Sequence, residues 1–293
     1  MVCTTHGSWS SEAPPVRPGG RNPVTDTSPL RTALDLEQRD GDLFVAAPDG
    51  FSQGRLFGGQ VAAQALRAAS RTIDGPRLVH SLHSYFLRPG QVAEPVRFEV
   101  ARTRDGRAFS TRHVTAVQEG KPIFEMVASF HEPEPGEDWQ PPAPPAVPPP
   151  EDLHPIRFPW LFGEDAPVEI RPVVTPDPDG FPLTHPFWAR VTMPVGTEPD
   201  LHACLLTYLS DLVVVNAARS PESRVRYDSM MSLDHSLWFH RPPRTDQWLL
   251  YDMNSAAHVG ARGLAQGSIR TTDGTLVASV AQEVLLRSST GRP

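Results

Sequence analysis

The residue that calls for an explanation is Asp211. It lies in the stretch 201–219, LHACLLTYLSDLVVVNAAR, which reads as a helix apolar on almost every side. Leu205, Leu209 and Leu212 share one side, Leu206 and Val213 flank it, and Cys204, Val214, Val215 and Ala218 fill the opposite side. A helix of that kind is buried rather than laid on a surface. A carboxylate in such a surround costs roughly several kcal/mol unless it is hydrogen-bonded or paired. Two readings follow from the residues alone. Asp211 is a structural carboxylate capping a neighbouring element, or it is a catalytic acid, because buried and perturbed acids concentrate at active sites.

Other residues carry weaker signals. Gly50-Phe51-Ser52-Gln53-Gly54 fits G-x-S-x-G, but that pattern needs a parallel sheet around it, and antiparallel strands follow here. We read it as a Gly-rich loop. Asp234 and His235 would point to opposite faces of a strand, so at most one of them faces any site. One is expected to pack and the other to hydrogen-bond. His83 and His113, also on strands, are expected to be structural. Thr175-Pro176-Asp177-Pro178-Asp179-Gly180 lacks the remaining positions of a calcium loop and reads as a turn.

The net charge of -7 and pI of about 5.9 give no general affinity for nucleic acid. Lys121 is the only lysine and sits in a turn-like GKP, which argues against Schiff-base chemistry and a P-loop. Cys3 and Cys204 are the only cysteines, one in an expected tail and one in the apolar helix. A disulfide is not expected, a reducing compartment fits, and little is left for a zinc site. No cofactor or metal is implied. No apolar run reaches the about 18 residues of a membrane span, and the first residues lack the apolar core of a signal peptide. A soluble, cytoplasmic protein is expected.

The elements that must hold Asp211 come next. Residues 1–30, rich in Pro, Ser, Gly and Thr, read as a disordered tail. A short helix or turn at 31–39 and a strand at 43–46 precede GRLFGGQ and an Ala-rich helix, VAAQALRAASRTI, which Asp74-Gly75-Pro76 stops. Strands are expected at 78–87, 96–104, 108–117 and 122–130, separated by Asp-Gly and Glu-Gly hairpin signals. This is an α+β pattern, not the alternation of a parallel sheet. A stiff Pro-rich linker occupies 136–160. Strands near 167–174 and 186–193, the apolar helix, and strands at 229–240, 247–256, 260–271 and 275–287 complete the chain.

The second half thus repeats the first. SLHSYFLRP at 81–89 matches LDHSLWFHRP at 233–242, setting His83 against His235. Gly120 matches Gly274, and Val127-Ala128-Ser129 matches Val277-Ala278-Ser279. Two similar segments at nearly equal separation indicate two copies of one fold.

A sheet wrapped round a central helix and duplicated in one chain looks like a tandem double hotdog, α+β, with antiparallel sheets each wrapped around a long central helix. The units would be an N-terminal hotdog at 31–135 and a C-terminal hotdog at 161–293. The chain resembles the acyl-CoA thioesterase II (TesB-like) family in GGQVAAQAL (58–66), VHSLHSYFLRPG (79–90), GKPIFEMVASF (120–130), SLDHSLWFHRP (232–242), WLLYD (248–252) and LVASVAQE (276–283). The family hydrolyses acyl-CoA with an Asp, a Thr or Ser, and a Gln, all in the second hotdog. The resemblance assigns these to Asp211 in YLSDL, to Ser232 two residues before the Asp-His pair, and to Gln282 in the last strand. Many members carry Thr where this chain has Ser232, and both supply a hydroxyl. The proline tract at 141–150 departs from the family pattern. A homodimer or homotetramer is implied by the resemblance alone.

On this assignment Asp211 takes a proton from water as general base, and Ser232 and Gln282 orient that water. The two also supply the partners Asp211 needs. Backbone N–H groups at the start of the 199–219 helix are the expected oxyanion donors. Two alternatives remain: a hotdog hydratase or dehydratase, which would want a His/Asp or His/Glu pair in the site, and a non-catalytic acyl-CoA binding module.

Overall fold

A computed structural model describes residues 28–48, 54–143, 146–158, 167–174, 183–223 and 225–288. The expected tail, apart from its end, lies outside these residues, as do Cys3, Gly50 to Gln53 of the G-x-S-x-G pentapeptide and the turn at 175–180. The described residues begin at Ser28, whose hydroxyl caps a short helix, α1 (Pro29–Ala33). The first half continues with β1 (Glu37–Gln38), β2 (Leu43–Ala46), α2 (Gly58–Ser70), β3 (Leu78–Phe86), β4 (Val96–Asp105), β5 (Phe109–Gln118) and β6 (Lys121–His131). The second has β7 (Val168–Pro172), β8 (Phe187–Val191), α3 (Pro199–Ser210), α4 (Val214–Ala217), β9 (Ser229–Ser232), β10 (Asp234–Phe239), β11 (Leu249–Val259), β12 (Arg262–Thr271) and β13 (Leu276–Arg287).

The expectation of a separate sheet in each half is corrected. All 13 strands of the described residues belong to one antiparallel sheet, in the order β1-β2-β4-β5-β6-β3-β10-β13-β12-β11-β8-β7, with β9 alongside β13. The halves meet where β3 pairs with β10, Leu82 opposite Leu237. Alternation along the strands buries one face: in β5, Ser110, Arg112, Val114 and Ala116 point inward.

Helices α2 and α3 lie together against that face. Ala62, Ala63, Ala65, Ala68 and Ala69 are fully buried in α2, and the small side chains let it approach both the sheet and α3. The contact is closest at Gly59, where a Cβ would stand 2.4 Å from the Tyr208 carbonyl oxygen. Only glycine fits there.

The continuous helix expected over 201–219 is also corrected. Helix α3 ends at Ser210, Asp211 is its C-cap, and Val213 takes a left-handed conformation at φ 52° before α4 begins. Three successive β-branched valines favour helix only weakly, and positive φ is rare for such a side chain. The break places Asp211 at a helix end instead of mid-helix.

Hydrogen bonds fix how the two halves correspond. The N–H groups of Leu87 and Arg88 both donate to the Ile123 carbonyl, at 2.9 and 3.1 Å. Those of His240 and Arg241 both donate to the Val277 carbonyl, at 2.8 and 3.3 Å. Arg88 Nη1 donates to Pro122 O and Arg241 Nη1 to Leu276 O, each at 2.6 Å. The expected match of Gly120 with Gly274 agrees with these pairs. The match of His83 with His235 is off by one residue, which on a strand exchanges the two faces. His235 corresponds to buried Leu82, and Gln282 to buried Ala128. The Val-Ala-Ser match is a coincidence of letters.

Replacing Gly59 by Ala is expected to lower stability by about 3 kcal/mol, because backbone rather than a movable side chain blocks the new methyl. A melting temperature equal to that of the parent would contradict this packing.

Candidate active site

The break after α3 brings Asp211 against the first turn of α2, which comes from the other half. A Cβ on Gly58 would lie 2.7 Å from Asp211 Oδ2, so glycine is required for this approach. The acid therefore meets the N-terminal end of α2. The N–H groups of Gly58 and Gly59, in the first turn, have no helical carbonyl to bond, and the helix dipole there favours negative charge. The expected role for the start of α3 is corrected: Pro199, Asp200 and Ala203 line a different, smaller cavity of about 300 Å³ with His80 and His240.

Ser232 is set by a register change. β9 pairs Ser232 with Val284, whereas β10 pairs Ser236 with Ala281, so the strand expected at 229–240 is interrupted and shifts by one residue. Such a bulge re-aims a side chain. Asp234 repairs the ladder at that point by accepting the Glu283 N–H at 2.6 Å, and the Leu233 N–H donates to the Glu283 carbonyl at 2.9 Å.

Gln282 sits behind Ser232, with no exposed surface. Its Nε2 donates to Ser232 Oγ at 2.7 Å, and its Oε1 lies 2.5 Å from His235 Nδ1. His235 Nε2 lies 2.9 Å from Ser210 Oγ, one residue before Asp211. A chain of polar groups thus runs from the end of α3 through β10 and β13 to β9. Asp211 is less well satisfied than expected: among the described residues its Oδ1 is buried and receives no hydrogen bond. Burial pushes the Asp211 carboxyl up to about 7, while the Gln282 side chain and the Gly59 N–H pull it the other way. Burial lowers His235 to about 4, so its ring is neutral at physiological pH.

Asp211 and Ser232 open onto one cavity of about 630 Å³. Its walls are largely apolar and come from both halves: Phe57, Phe86, Ile123 and Phe124 from the first, Val213 and Met230 from the second. Arg55 and Arg88 also line it.

The remaining candidates lie elsewhere. Neither Asp234 nor His235 lines the large cavity. Both hydrogen-bond, and His235 does so from full burial. His83 is on the outer face against Trp238, ring centroids 5.2 Å apart, and His113 stands 3.9 Å from Glu125 on the same face. Cys204 is buried, its thiol pushed up to about 12 by burial. No group of three metal-ligating side chains occurs among the described residues, and no helix there is long and apolar enough to cross a membrane. The residues that sequence reasoning passed over are Gly58, Gly59 and Ser210; His235 is weighed there as packing or hydrogen-bonding, without its link to Gln282. The Gly-Gly pair at the head of a helix was the visible signal.

Comparison with known proteins agrees with this architecture. Residues 47–131 match the family described as acyl-CoA thioesterase N-terminal domain, and residues 160–285 match the acyl-CoA thioesterase family. The chain is 37% identical to human acyl-coenzyme A thioesterase 8 over 282 residues, 88% of each chain. It is 34% identical to acyl-CoA thioesterase 2 of Haemophilus influenzae, covering 87% of this chain and 96% of that one. Among solved structures, acyl-CoA thioesterase II TesB2 from Mycobacterium marinum superposes with a TM-score of 0.75 at 41% identity, covering 90% of this chain and all of the other. A hot dog fold protein from Alicyclobacillus acidocaldarius superposes with a TM-score of 0.72 at 21% identity, a likeness of fold alone. The chain belongs to the acyl-CoA thioesterase II (TesB-like) family. It is a thioester hydrolase.

The raised proton affinity of Asp211 has a consequence for stability. Its folded-state pKa lies above its unfolded value, so the protonated form is favoured by folding. Stability from this group is full below about pH 4 and is lost as pH rises through about 7. Asp211→Asn is therefore expected to stabilise the fold at pH 8 by roughly 2–4 kcal/mol. The gain should vanish near pH 4. Denaturant unfolding at the two pH values checks this, and a variant less stable than the parent at pH 8 would contradict it.

Proposed function

We propose that the chain hydrolyses acyl-CoA to fatty acid and CoA at the large cavity, with Asp211 as general base and with Ser232 and Gln282 orienting the attacking water. The observation that carries this reading is the convergence of Asp211, Ser232 and the first turn of α2 on one apolar cavity. A base poised near neutral pH suits proton abstraction from water. Ser232, held by Gln282, offers an acceptor and a donor for that water. As water attacks the thioester carbon, its proton passes to Asp211 and charge builds on the carbonyl oxygen. The Gly58 N–H at the head of α2 is the donor assigned to that oxygen, while the Gly59 N–H is directed at Asp211. Thiolate departs without a strong acid. The apolar walls receive the acyl chain, and Arg55 and Arg88 are assigned to phosphate groups of CoA. A hydratase or dehydratase is less well supported, because among the described residues no histidine lines the cavity: His235 beside Asp234 lies outside it, and His113 with Glu125 is on the outer face.

The same proposal includes two hotdog units in tandem, 31–135 and 161–293, joined by the Pro-rich 136–160 segment. It also includes assembly as a homodimer or homotetramer and residence in the cytoplasm.

Thiol release from acyl-CoA, followed with a thiol reagent, tests the reading. The parent is expected to release CoA with an acid limb in kcat/KM near pH 7. Asp211→Asn should lose about 10²-fold or more in kcat, and Ser232→Ala about 10-fold or more. Full hydrolysis by Asp211→Asn would exclude the mechanism. The arginine assignment is checked separately. Arg55→Ala and Arg88→Ala should each raise KM for acyl-CoA by about 3- to 10-fold. They should leave KM unchanged for an acyl thioester of a short, phosphate-free thiol. Equal effects on both substrates would remove the phosphate role.

A further inference from the structure

The polar chain behind the cavity contains a choice that the distances alone leave open. A carboxamide presents two ends of nearly the same shape, one donating and one accepting. Whichever end of Gln282 faces Ser232 decides whether that hydroxyl keeps its proton for the cavity. A neutral imidazole has one N–H, so the ring of His235 dictates the answer. Its Nδ1 meets the amide and its Nε2 meets Ser210 Oγ.

Two directed arrangements are possible. In the first, the Ser210 hydroxyl donates to His235 Nε2, and His235 Nδ1–H donates to Gln282 Oε1. Gln282 Nε2 then donates to Ser232 Oγ, and the Ser232 proton points to the cavity. In the second, Ser210 gives its proton to the Thr207 carbonyl, 2.8 Å away. The ring then donates through Nε2, the amide reverses, and Ser232 turns its proton away from the cavity. Only the first also leaves an amide N–H of Gln282 beside Asp211, in keeping with the downward pull of that side chain on its acidity.

The fold itself does not ask for this network. In the other half the corresponding positions are Leu82 and Ala128, both fully buried in the same architecture. A buried imidazole and carboxamide are costly unless they are hydrogen-bonded to each other or to further partners. Their presence in one half only, next to the cavity that holds Asp211, points to a task in the reaction.

We propose that His235 is a positioning residue: anchored on Ser210 as its Nδ1–H tautomer, it holds the Gln282 carboxamide with its NH₂ end toward Ser232 and Asp211. This rests on the hydrolytic reading of the site. His235 touches no substrate and acts only through Gln282.

The experiment combines two variants with a spectroscopic readout. His235→Leu places in this half the residue that the other half already tolerates. It is expected to lower kcat about 10- to 100-fold with KM within about twofold of the parent. His235→Asn keeps an N–H donor where Nδ1 stood, and should retain kcat within about threefold. Long-range ¹⁵N–¹H spectra of histidine-labelled parent protein at pH 7 should show a neutral Nδ1–H ring, distinct from that of His185 on the Tyr251 carbonyl, whose signals vanish in His235→Leu. A parent-like kcat in His235→Leu overturns the proposal, as does a His235→Asn protein no better than the leucine variant. An Nε2–H or charged ring overturns it without any activity measurement, and so decides the matter even if a variant fails to fold. If Asp211→Asn abolishes hydrolysis while His235→Leu does not, the positioning role fails and the reading of the site stands. A parent protein that releases no CoA fails the reading of the site, and the proposal with it.

Discussion

Everything in this structure turns on the desolvation of one carboxylate. Asp211 has lost water on nearly all sides, and one of its oxygens receives no hydrogen bond from the described residues. The cost is partly offset by the positive end of α2 and by the Gln282 side chain. What remains raises the pKa to about 7. At that value the group is charged often enough to accept a proton and basic enough to want one. The same burial that weakens the fold at high pH would, in the proposed mechanism, tune the acid for hydrolysis.

The duplicated architecture divides the labour. The first half contributes the head of α2, with Gly58 and Gly59 clearing space for the acid and for the backbone of α3. It also contributes much of the apolar wall. The second half contributes Asp211, Ser232 and Gln282, the side chains to which the proposed mechanism assigns chemistry. The pairing of β3 with β10 fuses the halves into one sheet, which holds the head of α2 and the end of α3 in register across the join. Asymmetry then follows from a few positions. Where the second half has His235 and Gln282, the first has Leu82 and Ala128, and the polar chain exists on one side only. Homology to acyl-CoA thioesterases across nearly the whole chain fits a site built from both halves.

Much of the fold was legible in the letters. The hairpin turns at Glu119-Gly120 and Gly274, the strand alternation, and the apolar surround of Asp211 are local patterns, and local patterns survive in sequence. The helix break was not read because an apolar run looks the same whether or not it bends, and Val213 gives no glycine to mark the left-handed turn. Ser232 and Gln282 came into view only through resemblance to the family, since no rule of spacing joins residues on different strands. His235 was weighed as structural, and matching it to His83 by letter put it on the wrong face. A one-residue difference in register is invisible in an alignment of similar strands, and hydrogen bonds to Ile123 and Val277 were needed to settle it. The start of α3 looked like the natural source of backbone donors for the same reason. Sequence cannot show that the helices run antiparallel, which sets the head of α2 beside the end of α3.

The most direct test is the titration of Asp211 itself. Infrared difference spectra of the parent against Asp211→Asn isolate the carbonyl stretch of this one carboxyl group as pH is varied. The band of the protonated acid is expected to persist above pH 5 and to disappear with a midpoint near 7. An acid already ionised at pH 5, with a midpoint near the ordinary value of about 4, would contradict the claim that its burial sets the chemistry of the site.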